Sequence, residues 1–137
     1  MTTTPDISGY IGVNPQSDFE LTQIVEKGLP LESLSVLKDK GLTSAEISEL
    51  VIPARTLKHR RDRSQNLSAE ETERLLRVAR ILSFADKIFG NPTKSLGWLR
   101  MTDDRLDDRT ALSLLSTEAG GRLVEGMIWQ IAEGMYT

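Results

Sequence analysis

The densest chemistry in this chain lies in nine consecutive residues, Arg55-Thr56-Leu57-Lys58-His59-Arg60-Arg61-Asp62-Arg63. They hold five basic side chains and one acidic one, net +4, in a protein whose overall charge is −3. The 54 residues before them are net −5. A compact cationic run in an acidic chain points to one local anion site, not to a surface that binds polyanions everywhere. Arg can donate two bonds to a guanine edge, while Lys and Thr reach phosphates or base edges. A solvated helix face is the plainer alternative for the run taken alone.

Other chemistries find little support. The chain has no Cys, so disulfides and thiolate metal sites are excluded, and a single His, so paired-His catalysis is excluded too. His59 sits among Lys58, Arg60 and Arg61 with no neighbouring carboxylate to orient it. Asp103, Asp104, Asp107 and Asp108 lack the spacing and glycine of a calcium loop and read as solvated turn acids. No glycine-rich phosphate loop leads into a Lys. The expectation is a protein that is not an enzyme and needs no metal or cofactor. No apolar run approaches the ~18–20 residues that span a bilayer, and MTTTPDISGY has neither a basic start nor an apolar stretch. A cytoplasmic protein without a membrane contact is expected. Its 137 residues suit one domain, or two small ones sharing a core.

The elements that must carry the cationic run are helical. Residues 1–16 are polar, with Pro5, Gly9, Gly12 and Pro15, and read as a flexible arm. Ser17 and Glu20 have the spacing of a capping box, and Phe19, Ile24 and Val25 make a partial apolar face before Gly28 and Pro30. Leu31, Leu34 and Leu37 recur at helical spacing before Gly41. Thr43 and Glu46 form a second box ahead of Ile47, Leu50 and Val51, and Pro53 fits the first turn of a helix over about 53–62. Ser68 and Glu71 start a longer helix ending near Phe89. Gly90-Asn91-Pro92 is a stop followed by a start, and Leu96, Trp98 and Leu99 form the apolar side of the helix it opens. After the polar turn TDDRLDDR, Asp107 or Asp108 should cap a brief helix with Leu112, Leu114 and Leu115. Thr117 should cap a last helix over about 118–133, with Leu123, Val124, Met127, Ile128 and Ile131 inward. Gly120, Gly121 and Gly126 would weaken that helix and so suggest close backbone packing. No strand periodicity or hairpin signal appears, so the fold class is all-α.

Residues 43–63 then have the layout of a helix-turn-helix: a capped helix, a short turn at Val51-Ile52, and a second helix presenting Arg55, Thr56, Lys58, His59, Arg60 and Arg61. The turn has no Gly where many such units place one. One unit reads only a few base pairs, so a homodimer on operator DNA is expected. The strongly apolar Ile81–Phe89 stretch is a candidate seam, with ordinary core as the equal alternative.

From Leu57 onward the chain resembles the Xre/MbcA/ParS antitoxin family, and the similarity covers about residues 28–137. It rests on the order and spacing of the basic helix, Leu67-Ser68-Ala69-Glu70-Glu71, Phe89-Gly90, Trp98-Leu99, Leu114-Leu115-Ser116-Thr117 and Ile131-Ala132-Glu133-Gly134. The resemblance implies a phage-repressor-like helix-turn-helix module over 17–66 and a helical toxin-binding and dimerisation module over 67–137. It implies an antitoxin that blocks a cognate toxin sterically, very often a RES-type enzyme that destroys NAD⁺, and that represses its own operon. The toxin-facing stretch corresponds to Gly120–Thr137, with Trp129, Glu133, Met135, Tyr136 and Thr137 as contact candidates. Family members often have Leu-Gly-Gly and Thr-Pro where this chain has Leu106-Asp107-Asp108 and Thr110-Ala111, so this loop should be more acidic and less sharply turned. A stand-alone dimeric helix-turn-helix regulator and a scaffold that never touches DNA are the rival readings.

Overall fold

A computed structural model describes residues 15–134. Most of the expected arm, and Met135, Tyr136 and Thr137, lie outside the described residues. Within them the architecture is all-α, with seven α-helices and one very small hairpin.

Helix α1 (Asp18–Lys27) starts at Ser17, whose side chain accepts from the Glu20 N–H. The Glu20 carboxylate reaches the Gln16 N–H instead of Ser17's, so this box closes one residue early. Phe19, expected on the apolar face, is exposed; Ile24 and Val25 pack inward as expected, joined by Leu21. Helix α2 (Ser33–Asp39) buries Leu34 and Leu37. Helix α3 (Ser44–Leu50) has both arms of the Thr43–Glu46 capping box and buries Ile47 and Leu50. Pro53 is the residue before helix α4 (Ala54–Asp62) rather than its first turn, and the free Ala54 N–H donates to Ser48 Oγ at 3.2 Å.

Helix α5 (Ala69–Phe89) is the spine. Its Ser68–Glu71 box is complete, and Gly90 ends it in the left-handed conformation that a side chain would resist. Asn91 Oδ1 then accepts from the Lys94 N–H and opens helix α6 (Pro92–Leu99). Buried Ser95 ties the two helices together by donating to Asp86 Oδ1 at 2.6 Å. The Ile81–Phe89 stretch is largely spent on this packing: Ile81, Leu82 and Ala85 are buried within the chain, leaving Phe84, Ile88 and Phe89 partly exposed. Trp98 is partly buried, with its ring 5.5 Å from Phe89.

The segment TDDRLDDR does more than turn. Strand β1 (Thr102–Asp103) pairs antiparallel with β2 (Arg109–Thr110) around a short 3₁₀ turn over Asp104–Leu106. Asp107 and Asp108 both take positive φ, 55° and 60°. The loop is therefore sharply turned, against expectation, because Asp tolerates the left-handed region better than most side chains. Neither Asp caps the next element. The 3₁₀ helix Leu112–Ser116 is started by Thr110, whose Oγ1 accepts from the Ser113 N–H at 3.2 Å. Helix α7 (Glu118–Gly134) starts at Thr117, which accepts from the Gly120 N–H. Its buried face is Gly121, Val124, Met127, Ile128 and Ala132. Leu123, expected inward, is 51% exposed, because one step along a helix rotates it about 100° off the Val124–Ile128–Ala132 row.

Most buried apolar side chains form one cluster, from Leu34, Leu37 and Leu50 in the first half to Leu112, Leu115, Val124 and Ile128 in the second. Burying each such side chain contributes ~1.5–3 kcal/mol, so the joint between the halves is a major part of the fold's stability.

Candidate functional site

Helix α4 turns Leu57 partly inward. That choice sets the rest of the helix. Arg55, Lys58, His59 and Arg61 are exposed, with Arg63 just past the end, and Thr56 is half-buried. No ion pair among the described residues engages Arg55, Lys58, His59, Arg61 or Arg63, whereas Arg60, Arg74, Arg77, Arg80, Arg100, Arg105 and Arg122 are each in one. A stripe of available positive charge therefore projects from this helix.

Arg60, expected within that stripe, is turned away from it. It lies three residues after Leu57 and shares its inner side. Its Nε and Nη2 donate to the two carboxylate oxygens of Glu71, each at 3.2 Å. Burial works against ionisation of Glu71, but the bonds from Arg60 and the Ser68 N–H outweigh it and hold the carboxyl below its ordinary value. A second clamp was not expected from the sequence. Arg100, at the end of α6, donates to both oxygens of Glu46 at 2.9 and 2.7 Å, and to the Gly41 carbonyl at 2.8 Å. The Arg100 bond holds Glu46 below its ordinary value as well. Glu46 and Glu71, the glutamates of the two complete capping boxes, are thus each gripped by an arginine from elsewhere in the fold.

Beside α4 lies a groove of about 330 Å³, with Leu34, Ile47, Ile52 and Leu57 among its lining and Lys38 and Arg61 also lining it. Its mixed apolar and cationic lining offers binding surface beside the exposed cations of α4.

The outer side of α7 differs in kind. Trp129 is 53% exposed, and its ring rests 4.9 Å from that of Phe84 on α5. Glu133 is exposed one turn on. The flank below is ionic: Arg77 meets Glu118 at 3.2 Å, and Arg80 meets Glu118 and Glu125 at 3.8 and 3.7 Å. A large aromatic held half out of water by a neighbour, on a polar helix face, is the make-up of an interface anchor. The structure brings Trp129 and Glu133 to one face; Met135, Tyr136 and Thr137 lie outside the described residues.

Residues 20–80 match the family model for the antitoxin Xre-like helix-turn-helix domain. Residues 84–134 match the antitoxin Xre/MbcA/ParS C-terminal toxin-binding domain. The chain is 36% identical over 118 residues to an antitoxin Xre of Pseudomonas putida, spanning 86% of this chain and 74% of the relative. The chain belongs to the Xre antitoxin family. An antitoxin Xre of Yersinia enterocolitica is 32% identical over 87 residues, 63% of this chain and 59% of the relative. In this Xre-family antitoxin the two matched segments meet inside α5. The unpaired cations of α4 fall in the helix-turn-helix segment, and the Phe84–Trp129 pair falls in the toxin-binding one.

Proposed function

We propose that this antitoxin neutralises its toxin by covering it and represses its own operon through α4. Arg55, Thr56, Lys58, His59 and Arg61 form the DNA face, and a homodimer supplies two half-sites. Trp129 and Glu133, with Met135, Tyr136 and Thr137, form the toxin face. The toxin is a RES-type enzyme that consumes NAD⁺, and the antitoxin works in the cytoplasm. Occlusion requires no reaction from this chain. The observation that carries the reading is the contrast between α4, whose exposed cations enter no ion pair among the described residues, and the ion-paired arginines named above.

Co-expression with the product of the neighbouring gene tests it. NAD⁺ should collapse with that product alone and be preserved by the antitoxin. Removing residues 135–137 together with Trp129→Ala should abolish protection and leave the operator shift intact. Replacing Arg55, Lys58 and Arg61 with Ala should do the reverse. Full protection by the first variant would sink the toxin face, and an unchanged shift with the second would sink the DNA face.

A further inference from the structure

The turn between α3 and α4 contains no glycine, and Val51 and Ile52 are both 1% exposed. The Ala54 N–H to Ser48 Oγ bond ties the two helices across the turn itself, and two contacts from the start of α5 brace them from outside it. Arg74 Nη1 donates to the Val51 carbonyl at 3.1 Å, a group at the end of α3. Glu71 takes both bonds from Arg60 while still accepting from the Ser68 N–H at 2.7 Å. A two-bond arginine–carboxylate pair fixes direction as well as distance. The Glu71 side chain is 7% exposed and that of Arg60 29%, so the pair is sheltered from water.

We propose that the first two turns of α5 aim the DNA-reading helix, with Arg60, Glu71 and Arg74 as positioning residues and not DNA contacts. The inference rests on the DNA-binding reading of α4. It assigns the work of the missing turn glycine to a spine helix that continues into the toxin-binding segment. A positioning residue and a phosphate contact leave different signatures. Loss of a phosphate contact weakens binding to every sequence and lowers the salt slope by about one. Loss of aim spoils base contacts only, so it lowers affinity for the true site and spares the electrostatic background.

The test measures fluorescence anisotropy with the full chain between about 50 and 200 mM salt. One duplex spans the DNA upstream of the chain's own gene; the other is a scrambled duplex of the same length. Glu71→Gln keeps an acceptor for the Ser68 N–H, and Arg60→Met keeps the apolar stem. Each should lower affinity for the upstream duplex about tenfold, with the scrambled duplex and the salt slope unchanged. The double variant should be no worse than either single one. Thermal melting gives the folded fraction of each; should Glu71→Gln be unfolded, Arg74→Met must show the same selective loss. Equal weakening on both duplexes by Arg60→Met with a lower slope, beside an unaffected Glu71→Gln, overturns the inference alone. A wild-type chain that does not prefer the upstream duplex overturns the DNA reading and this inference together.

Discussion

Glycines in helix α7 separate what the fold needs from what a partner could use. A Cβ at Gly120 would overlap the Leu114 carbonyl, and one at Gly121 would press on the Arg77 side chain at 3.1 Å. Those two positions answer to the close packing expected from the sequence. Gly126 does not, for among the described residues no packing neighbour lies within 4 Å of a Cβ built there and the residue is exposed. It sits on the same side of the helix as Trp129 and Glu133, three and seven residues on. A glycine in an open helix position costs about 1 kcal/mol relative to Ala. Gly126→Ala should therefore raise the urea unfolding free energy of the free chain by about 1 kcal/mol, while Gly120→Ala should lower it by ~1–3 kcal/mol. On the proposed toxin face the same Gly126→Ala should weaken the toxin complex about tenfold in calorimetry, because the bare backbone there is accessible to a partner. A stabilised chain that binds toxin as tightly as before would show that the glycine serves no contact.

At the scale of elements, start signals were legible and tertiary partners were not. Thr43–Glu46 and Ser68–Glu71 close as their spacing predicts, because a capping box is a contact between residues three apart. Gly90-Asn91-Pro92 works as a stop and start for the same reason. The hairpin over 102–110 was missed because each strand is two residues long, too short to show a period. The turned Arg60 was only half legible: its offset of three from Leu57 shares a helix side, but so does Arg61's offset of four, and the distant Glu71 decides between them. The grip of Arg100 on Glu46 was not legible, because 54 residues separate them. These clamps carry a pH consequence. Glu46 and Glu71 have folded-state values below the ordinary 4.5, so the unfolded chain binds the extra proton first as pH falls. Their contribution is complete above about pH 4.5 and is lost on descending through the folded values. The urea midpoint should fall as pH drops below about 5, and Glu71→Gln should flatten that fall. An unchanged acid slope in the variant would mean that the Arg60 pair contributes nothing to stability.

Taken whole, the molecule does not divide where its chemistry does. Helix α5 runs through both matched segments, and its buried face packs on α1 and α3 at one end and on α6 and α7 at the other. Leu29 shows the dependence in detail: its N–H donates to Thr72 Oγ1 at 3.1 Å and its carbonyl accepts from the Leu67 N–H at 2.9 Å. Arg100 adds a second tie from the far side, reaching Glu46 and Gly41 across the module boundary expected at residue 66. A fragment ending there would keep α1–α4 but strip α3 of α5 and of the 3₁₀ helix, expose Leu50, which is 1% exposed in the full chain, and leave Arg60 without Glu71. The exposed leucine alone forfeits ~1.5–3 kcal/mol, a large share of the 5–15 kcal/mol that holds a domain of this size together. The full chain should therefore unfold in one cooperative transition, with calorimetric and van't Hoff enthalpies in agreement. Residues 17–66 expressed alone should show neither a sigmoidal melt nor dispersed amide resonances, and should bind operator DNA no better than scrambled DNA. A fragment extended to residue 89, which restores Glu71, Arg74 and the rest of the spine, should recover part of both. If the shorter fragment folds and selects its operator unaided, the two modules are independent and α5 is only a connector.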